Sequence, residues 1–337
     1  MDKYQVYFSR TTKEKYGAFS KARNDVSEIL FRKGYKRIGI VSFQNYPFLI
    51  RQLVGSIYAL FVLLKLPKGS VCLFQYPFDT YYRYLVFPII RKRIKMVTII
   101  HDIVSCRMQD GKLDKEMKFL SSFEKVVAHT DKMKQLLMEN GISSSKIIVL
   151  WLFDYLVNKT PDFISYPDNS VCFAGSLRKS LFLKDPHLGE LNKIQFFLYG
   201  QSAELNFPEN IVYEGTFEPD DIVNIKGKWG LVWDGNSLDT CNGPMGNYLK
   251  INSSHKLSLY LAAKKPLIVW SQSALADYVK LNKLGICVDS LYEIHDKIQA
   301  LSSAEISVIM ENVIAYSSKL TKGKMLEKVI TSLEADY

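Results

Sequence analysis

Short apolar runs alternate with helical patterns along almost the whole chain of 337 residues, and this alternation limits the possible folds more than any other feature. In the first half, runs rich in β-branched and aromatic residues alternate with segments of helical spacing, which is typical of βαβ units. Strands are predicted at Tyr4–Phe8, Arg37–Val41, Ser70–Gln75, Met96–Ile100, Lys125–Ala128 and Ile147–Leu150. Helices are predicted at Ser20–Lys33, Pro47–Leu64, Asp79–Arg91, Leu113–Ser122 and Lys132–Asn140. This order predicts a doubly wound parallel sheet.

The alternation stops once and then begins again. Turn-forming residues cluster at Asn158–Asp162 and Tyr166–Asn169, which places a domain junction near residue 160. Further strands are predicted at Ser170–Ala174, Gln195–Tyr199, Ile211–Glu214, Gly230–Trp233, Leu267–Trp270 and Gly285–Val288. We therefore predict an α/β chain of two Rossmann-like doubly wound domains, residues 1–160 and 161–310, that face each other across a cleft. A C-terminal helix at 311–337 is expected to pack back on the first domain.

Composition points to a globular protein. The N-terminal MDKYQVYFSR lacks the apolar core of a signal peptide. The most apolar stretch, Leu53–Leu64, is shorter than the roughly 20 residues that cross a bilayer. Five cysteines are scattered without a C-x-x-C spacing, so we expect buried thiols in a reducing compartment and no structural metal site. The sequence thus predicts a cytoplasmic protein.

The net charge is +10, and a basic run, Arg91–Lys95, follows the aromatic stretch Tyr81–Pro88. Basic residues beside aromatic ones suit the anionic inner face of a cell membrane. A solvated helix end before a buried strand explains the same residues equally well. Nucleic acid is not an expected partner, because no nucleic-acid-binding motif accompanies the charge. Peripheral contact with the inner membrane surface is therefore one of two open interpretations.

The segment Gly230–Trp270 reads as a strand, a polar glycine-bearing loop, a helix and another strand. Its loop places Asn252, Ser254, His255 and Lys256 where the helix begins. The unpaired N–H groups and the positive dipole end of a helix start attract anions, and a lysine adds a point charge suited to phosphate. This predicts a diphosphate-bearing ligand at the C-terminal edge of a parallel sheet.

The same segment also carries a family resemblance. It combines a GLVW strand, an acidic glycine-containing loop, an HKLS turn and a helix that ends Ala-Ala, where Lys264 replaces the usual glycine. Together with Ile99–Ile103 and Leu284–Val288, in this order along nearly the full length, it resembles bacterial β-1,6-galactofuranosyltransferases and the related glucosyltransferases of adhesin glycosylation. The resemblance implies the GT-B fold, in which the C-terminal domain binds a UDP-sugar and the N-terminal domain presents the acceptor.

Candidate phosphate ligands occupy strand ends, which face the ligand crevice in open α/β sheets. Gly175 would allow close backbone approach, and Arg178 offers a planar fork for a diphosphate. An ordinary βα turn with a surface arginine is the alternative. Lys256 and Ser258 are the predicted phosphate ligands at the helix start.

Other candidates would contact the sugar and the nucleoside. Asp234 suits the donor-sugar hydroxyls, Asp277 the ribose hydroxyls, and Asn252 or Ser254 is expected to cap the helix. Two further strand ends are candidates for nucleobase contact, and His255 is either a ligand contact or structural. The predicted donor set is Gly175, Arg178, Tyr199, Gly200, Tyr213, Gly215, Asp234, Asn252, Ser254, His255, Lys256, Ser258 and Asp277.

An inverting reaction is favoured because the two glutamates that many retaining GT-B enzymes carry around the phosphate helix are replaced here. Such a reaction needs a base that takes the proton of the acceptor hydroxyl. Asp102 follows the predicted strand Met96–Ile100 and is the predicted base, with His101 as its competitor or partner. Alternatively, Asp102 caps the next segment or pairs with a lysine. Glu14 and Asp79 are the remaining candidates.

No cofactor and no metal are expected. The chain contains neither G-x-G-x-x-G, the dinucleotide pattern, nor D-x-D, the pattern of metal-dependent glycosyltransferases. The charge of the leaving diphosphate would then be balanced by Lys256, Arg178 and the helix dipole.

We therefore predict a glycosyltransferase that moves a hexosyl group, galactofuranose by the resemblance, from a UDP-sugar to a lipid-linked or cell-surface glycan. A UDP-glucose-dependent glucosyltransferase acting on a glycosylated adhesin is the nearest alternative. A non-catalytic nucleotide-sugar-binding partner and a sugar-nucleotide epimerase are alternatives of other classes, which differ in whether turnover needs an acceptor. No motif encodes the acceptor, the linkage or the oligomeric state, so a homo-oligomer stays open.

Overall fold

The computed structural model describes residues 1–9, 18–41, 47–78, 85–162, 164–201 and 206–337. The chain divides into two compact units. The first holds the described residues up to Leu150, except 18–22, and also Glu327–Tyr337 at the end of the chain. The second holds Trp151–Leu326 together with 18–22. The units therefore meet along the chain at Leu150 and Trp151, somewhat before the turn residues that mark the junction in the sequence.

The first unit contains six parallel strands in the order β2-β1-β3-β4-β5-β6. They are β1 Lys3–Ser9, β2 Lys36–Val41, β3 Val71–Tyr76, β4 Lys95–Ile100, β5 Lys125–Ala128 and β6 Ile147–Val149. Strands inside a parallel sheet are covered by helices on both faces, which is why β3, β4 and β5 are almost entirely buried. The predicted doubly wound sheet is confirmed, with strand ends within one residue of the prediction.

Helices connect these strands. They are α1 Ala18–Arg32, α2 Phe48–Leu64, α3 Phe87–Ile90, α4 Val104–Met108, α5 Leu113–Leu120 and α6 Asp131–Glu139. Thr130 caps α6, because its hydroxyl accepts a hydrogen bond from the Met133 amide at 3.0 Å. The prediction lacks α4, which is too short to show helical periodicity. Residues 79–84 of the predicted helix Asp79–Arg91 lie outside the described residues.

The second unit also contains six parallel strands, in the order β12-β11-β10-β7-β8-β9. They are β7 Ser170–Ala174, β8 Gln195–Tyr199, β9 Ile211–Tyr213, β10 Trp229–Val232, β11 Leu267–Trp270 and β12 Gly285–Val288. The helices of this unit are α7 Gly243–Leu249, α8 His255–Ala262, α9 Ala276–Leu281, α10 Ile294–Gln299 and α11 Ser303–Leu320. The last helix, α12 Lys324–Ala335, begins in this unit and continues into the first. Both β7 and β10 lie inside this sheet and are hydrogen-bonded neighbours, although two strands separate them along the chain.

The end of the chain belongs to the first unit. Ion pairs join Lys3 to Glu334 at 2.9 Å and Lys125 to Asp336 at 2.5 Å. Both lysines lie on strands of the first sheet, so the C-terminal part of α12 is tied to that sheet.

His129 follows β5 and gives the first unit a pH dependence. Its ring is buried, and Nε2 donates to the Ile100 carbonyl at 2.7 Å. Burial lowers the pKa of His129 to about 4. In the unfolded chain the histidine has a pKa of about 6.5 and binds the proton more tightly. The contribution of His129 to the unfolding free energy is therefore fully present above about pH 6.5 and is lost as the pH falls towards 4. We expect His129 to account for a loss of about 2 kcal/mol in unfolding free energy between pH 7.5 and pH 5.

Urea unfolding of the wild type and of His129→Gln at the two pH values measures this contribution. The difference between the proteins should shrink on acidification, because only the wild type carries the buried imidazole. His187→Gln is the control, because His187 is exposed. An equal pH dependence in the wild type and His129→Gln would contradict the assignment.

Candidate active site

The carboxyl ends of β7 and β10 lie at the point in the second sheet where the order of strand addition reverses. From β7, the chain adds β8 and β9 on one side and then β10, β11 and β12 on the other. Ligands of open α/β sheets bind in the crevice that forms at such a switch point. Three predicted residues reach it: Gly175 after β7, Asp234 after β10 and Lys256 in the first turn of α8.

The side chain of Lys256 lies across this switch point. Its ammonium donates to the Asp234 carboxylate and lies 3.5 Å from the Trp233 carbonyl oxygen. Its Nζ lies 4.7 Å from the ring centroid of Phe173, and its Cε is 3.0 Å from where a Cβ on Gly175 would lie. A larger residue at 175 would press on the lysine. The side chains of Lys256 and Asp234 are only 15% and 23% exposed, so a cation is held in place at this edge of the sheet.

The neighbouring strand ends carry glycines. The Gly175 amide donates to the Tyr199 carbonyl at 2.9 Å, and the Gly200 amide donates to the Gly215 carbonyl at 2.8 Å. Gly200 has a φ of +145°, and a Cβ there would lie 1.8 Å from the Gly175 carbonyl oxygen, so only glycine fits. The close approach at Gly200 is thus between two stretches of backbone. Ligand contact by these glycines stays a prediction.

The two predicted tyrosines differ in what they can contact. Tyr199 is buried, its hydroxyl accepts from the Lys226 amide at 2.7 Å, and burial raises its pKa above the usual range. Its side chain therefore stabilises the unit internally, and contact of its backbone with a nucleobase stays a prediction. Tyr213 is 43% exposed and donates to the Gly200 carbonyl at 2.9 Å. Aromatic contact with a nucleobase is open to Tyr213.

Two serines near the start of α8 differ from their predicted roles. Ser258 is 1% exposed, and its hydroxyl donates to the Phe153 carbonyl at 2.6 Å. It therefore faces the interior and is not presented to a phosphate, because the second turn of α8 packs on the segment after β6. Ser254 occupies the N-cap position, but its side chain makes no capping hydrogen bond.

Asn252 and His255 lie next to these serines. The side-chain oxygen of Asn252 is enclosed and accepts no hydrogen bond from any described residue. The His255 ring stacks on Tyr155 with centroids 5.1 Å apart and an interplanar angle of 29°. His255 thus packs against the segment that leads into the second unit, whereas Asn252 offers an acceptor close to Lys256 in the sequence.

Arg178 and Asp277 are both exposed at the same edge of the second sheet. Arg178 lies in the short 3₁₀ helix Leu177–Lys179, directly beyond β7. Asp277 lies in the first turn of α9, beyond β11. Their positions fit contacts with the diphosphate and the ribose, respectively, and both roles stay predictions.

In the first unit, Asp102 and His101 follow β4. An oxygen of Asp102 lies 2.6 Å from a guanidinium nitrogen of Arg107, and the Asp102 side chain is 13% exposed. Nε2 of His101 lies 2.8 Å from the side-chain oxygen of Gln75, and the imidazole is buried. Asp102 is therefore the more accessible of the two, and Arg107 pairs with it.

Glu116 positions the loop that carries Asp102, and the sequence reasoning missed it. This carboxylate is buried and accepts from the amides of Val104 and Ser105, at 2.8 and 2.7 Å, and from the Tyr76 hydroxyl at 2.6 Å. It also accepts from the Ser105 hydroxyl. A carboxylate at the start of α4 satisfies N–H groups that have no partner within the helix. One signal could have found it: Glu116 lies beside Met117 on the apolar side of an otherwise ordinary amphipathic helix.

Two models of one protein family together match most of this chain. A model of the N-terminal domain of glucosyltransferase 3-like proteins matches residues 5–152, and a model of their C-terminal domain matches residues 171–333. The chain belongs to the glucosyltransferase 3-like family.

Individual relatives span almost the whole chain. The β-1,6-galactofuranosyltransferase WbbI of Escherichia coli K12 is 29% identical over 93% of this chain and 94% of its own. Glucosyltransferase 3 of Streptococcus parasanguinis is 25% identical over 92% of this chain and 91% of its own. This glucosyltransferase 3-like protein is therefore a glycosyltransferase, as the motif order predicts.

Solved structures share its fold at much lower identity. HepE of Anabaena, solved with UDP and glucose, superposes with a TM-score of 0.62 at 11% identity, over 98% of this chain and all of its own. The lipopolysaccharide galactosyltransferase WaaB superposes with a TM-score of 0.61 at 12% identity, over 99% of each chain. The predicted GT-B fold of this family member is thereby confirmed.

Two candidate residues and one cavity are not part of the candidate site described above. Glu14 and Asp79 lie outside the described residues. A cavity of about 150 Å³ in the second unit is lined by Tyr166, Gly227 and Lys265 among others. It lies at the amino ends of β10 and β11 and contains none of the predicted site residues.

Proposed function

We propose that this protein transfers galactofuranose from UDP-galactofuranose to a hydroxyl of a lipid-linked or cell-surface glycan, with inversion and without a metal. The observation that carries the proposal is the cation of Lys256, held at the switch point of the second sheet over Gly175. Family membership supplies the reaction class, and the Anabaena protein with the same fold binds UDP and UDP-glucose.

The ion pair of Lys256 and Asp234 suggests how the donor is bound. A diphosphate carries more charge than one carboxylate, so it competes for the ammonium when it enters the crevice. Asp234 is then released to accept a hydroxyl of the donor sugar. Arg178, exposed beyond β7, adds a second cation for the leaving diphosphate.

Two donors are candidates. UDP-galactofuranose is favoured by the 29% identity to the galactofuranosyltransferase of Escherichia coli. UDP-glucose is favoured by the family models and by the two streptococcal glucosyltransferases, each 25% identical to this chain. Asn252 and Asp234 are the acceptors proposed to distinguish the sugar hydroxyls, because hydrogen-bonding sites discriminate by leaving a partner unpaired.

The proposed base is Asp102, assisted by its surroundings. Arg107 orients its carboxylate, and Glu116 holds the backbone that follows. An ionised carboxylate can take the proton of the acceptor hydroxyl as the sugar is transferred. We place the acceptor glycan on a polyprenyl diphosphate and the enzyme at the cytoplasmic face of the membrane.

Calorimetric titration with UDP, UDP-galactofuranose, UDP-glucose and UDP-galactopyranose, with EDTA present, tests the donor. We expect UDP to bind, and UDP-galactofuranose to be preferred over both pyranose sugars. The anomeric configuration of the product, read by NMR, tests inversion. Preference for UDP-glucose would transfer the assignment to the second candidate. Absence of binding at millimolar UDP would contradict the proposal, as would turnover that needs an added metal.

A further inference from the structure

Helix α2 exposes a row of large apolar side chains. Leu49, Leu53, Ile57 and Phe61 recur every four residues and are 76%, 57%, 60% and 59% exposed. Ile50, Val54 and Leu64 widen the row on the same helix. Such a spacing places the side chains on one face, and contiguous apolar faces of this kind mark interaction sites.

The other face of α2 is already occupied. Ser56, Ala59 and Leu63 are buried, and the helix packs on β2 and α3 within its own unit. Arg51 is the one charged residue among the 17 of α2. In the part of the chain that the structure describes, no helix has the length and apolar content needed to cross a bilayer. At 1.5 Å per residue, α2 is about 25 Å long, so it suits a position along a surface.

Basic residues border this row at the C-terminal end of α2. The Arg93 guanidinium donates to the Leu66 carbonyl at 3.2 Å, and the Gly69 amide donates to the Arg93 carbonyl at 2.8 Å. These bonds tie the segment after α3 to the segment after α2. Lys65 lies over the ring of Phe61, with Nζ 4.0 Å from the centroid. The exposed cations here are Lys65, Lys68, Arg91 and Lys92.

Two more apolar side chains continue the surface beside these cations. Leu85 and Ile89, before and within α3, are 53% and 48% exposed. Apolar side chains with a cationic border match the interface of a bilayer, where acyl chains lie beneath anionic headgroups. We call the exposed face of α2, Leu85, Ile89 and these cations the α2 surface.

We propose that the α2 surface docks on an anionic lipid bilayer, with α2 lying along the interface. Charge decides against a second copy of this chain as the occupant. In a two-fold dimer the α2 surface of one copy meets that of the other, so the cations of both copies would enter one interface between chains that each carry a net charge of +10. Anionic lipid neutralises them instead. This inference depends on the proposed function only in expecting a lipid-linked acceptor, and its test needs neither donor nor acceptor.

Vesicle flotation of the full chain tests the docking, with vesicles of phosphatidylcholine alone or mixed with phosphatidylglycerol. We expect binding to the mixed vesicles only, weakened by salt. Leu53→Glu/Ile57→Glu and Arg91→Glu/Lys92→Glu should each lower the partition coefficient about tenfold or more, because each removes apolar insertion or surface charge. The matched controls, Leu281→Glu and Lys193→Glu, change an 83% exposed leucine and an exposed lysine of the second unit and should bind like the wild type.

Failure of the wild type to float with anionic vesicles would overturn the docking, as would equal binding by the α2 variants. A wild-type dimer in sedimentation experiments that Ile57→Glu converts to a monomer, without vesicle binding, would assign the surface to a second copy. Titration with UDP separates the two proposals, because the α2 variants should bind UDP like the wild type. Retained UDP binding shows that the second unit of these variants is folded, and an unchanged midpoint of urea unfolding shows the same for the first.

Discussion

Replacement of Lys256 by alanine is expected to lower kcat/KM for the nucleotide-sugar donor about 100- to 1,000-fold, because in the proposed site the ammonium stabilises charge that develops on the leaving diphosphate. Lys256 Nζ is held beside Asp234 at the switch point, so the cation needs little reorganisation when the bond breaks. Part of the loss should appear as a UDP dissociation constant raised about tenfold or more, since a charge-assisted bond is removed. Steady-state kinetics and calorimetry measure the two effects.

Three further variants sharpen this test. Lys256→Arg keeps the charge and should retain more activity than Lys256→Ala. Asp234→Asn removes the carboxylate that competes with the diphosphate, so UDP should bind at least as tightly while turnover of the UDP-sugar falls. Lys193→Ala, at the opposite edge of the second sheet, is the control and should resemble the wild type. Lys256→Ala with unchanged UDP affinity and unchanged turnover would contradict the proposed donor site.

Replacement of Asp102 by asparagine is expected to lower kcat about 100- to 10,000-fold, because asparagine cannot take the proton of the acceptor hydroxyl. The amide has nearly the same shape and can still accept from Arg107, so the fold of the loop should persist. UDP binding, which we assign to the second unit, should be unchanged. The limb of the pH–rate profile that reports ionisation of the base should disappear in the variant.

Asp110→Asn is the matched control for this change. Asp110 is exposed beyond α4 and pairs with Lys112, away from β4. Its replacement should leave kcat within about threefold of the wild type, the usual range for a surface position. An Asp102→Asn enzyme with wild-type kcat and pH profile would exclude Asp102 as the base. Glu14 and Asp79 would then be the candidates to test.

Much of the fold could be predicted because buried parallel strands carry their signal locally. β5, β7, β8, β11 and β12 begin and end at the predicted residues. Each is a short apolar run bounded by polar or turn-forming residues, so the residues of each strand by themselves indicate that it is buried. Elements with little local signal, such as α4 and the 3₁₀ turns after β7, could not be predicted this way.

The placement of Gly175, Asp234 and Lys256 at one sheet edge was also foreseeable, because strand ends and a helix start converge in any parallel sheet. Their partners were not. Lys256 and Asp234 are 22 residues apart, Ser258 bonds to a carbonyl 105 residues away, and Glu116 caps a helix that precedes its own. These pairings depend on which face of each helix packs inward. The sequence by itself determined the strands, the family and the edge of the sheet where we propose that a ligand binds. Tertiary packing alone decided which side chains remain available there, because long-range contacts leave no periodic pattern in the chain.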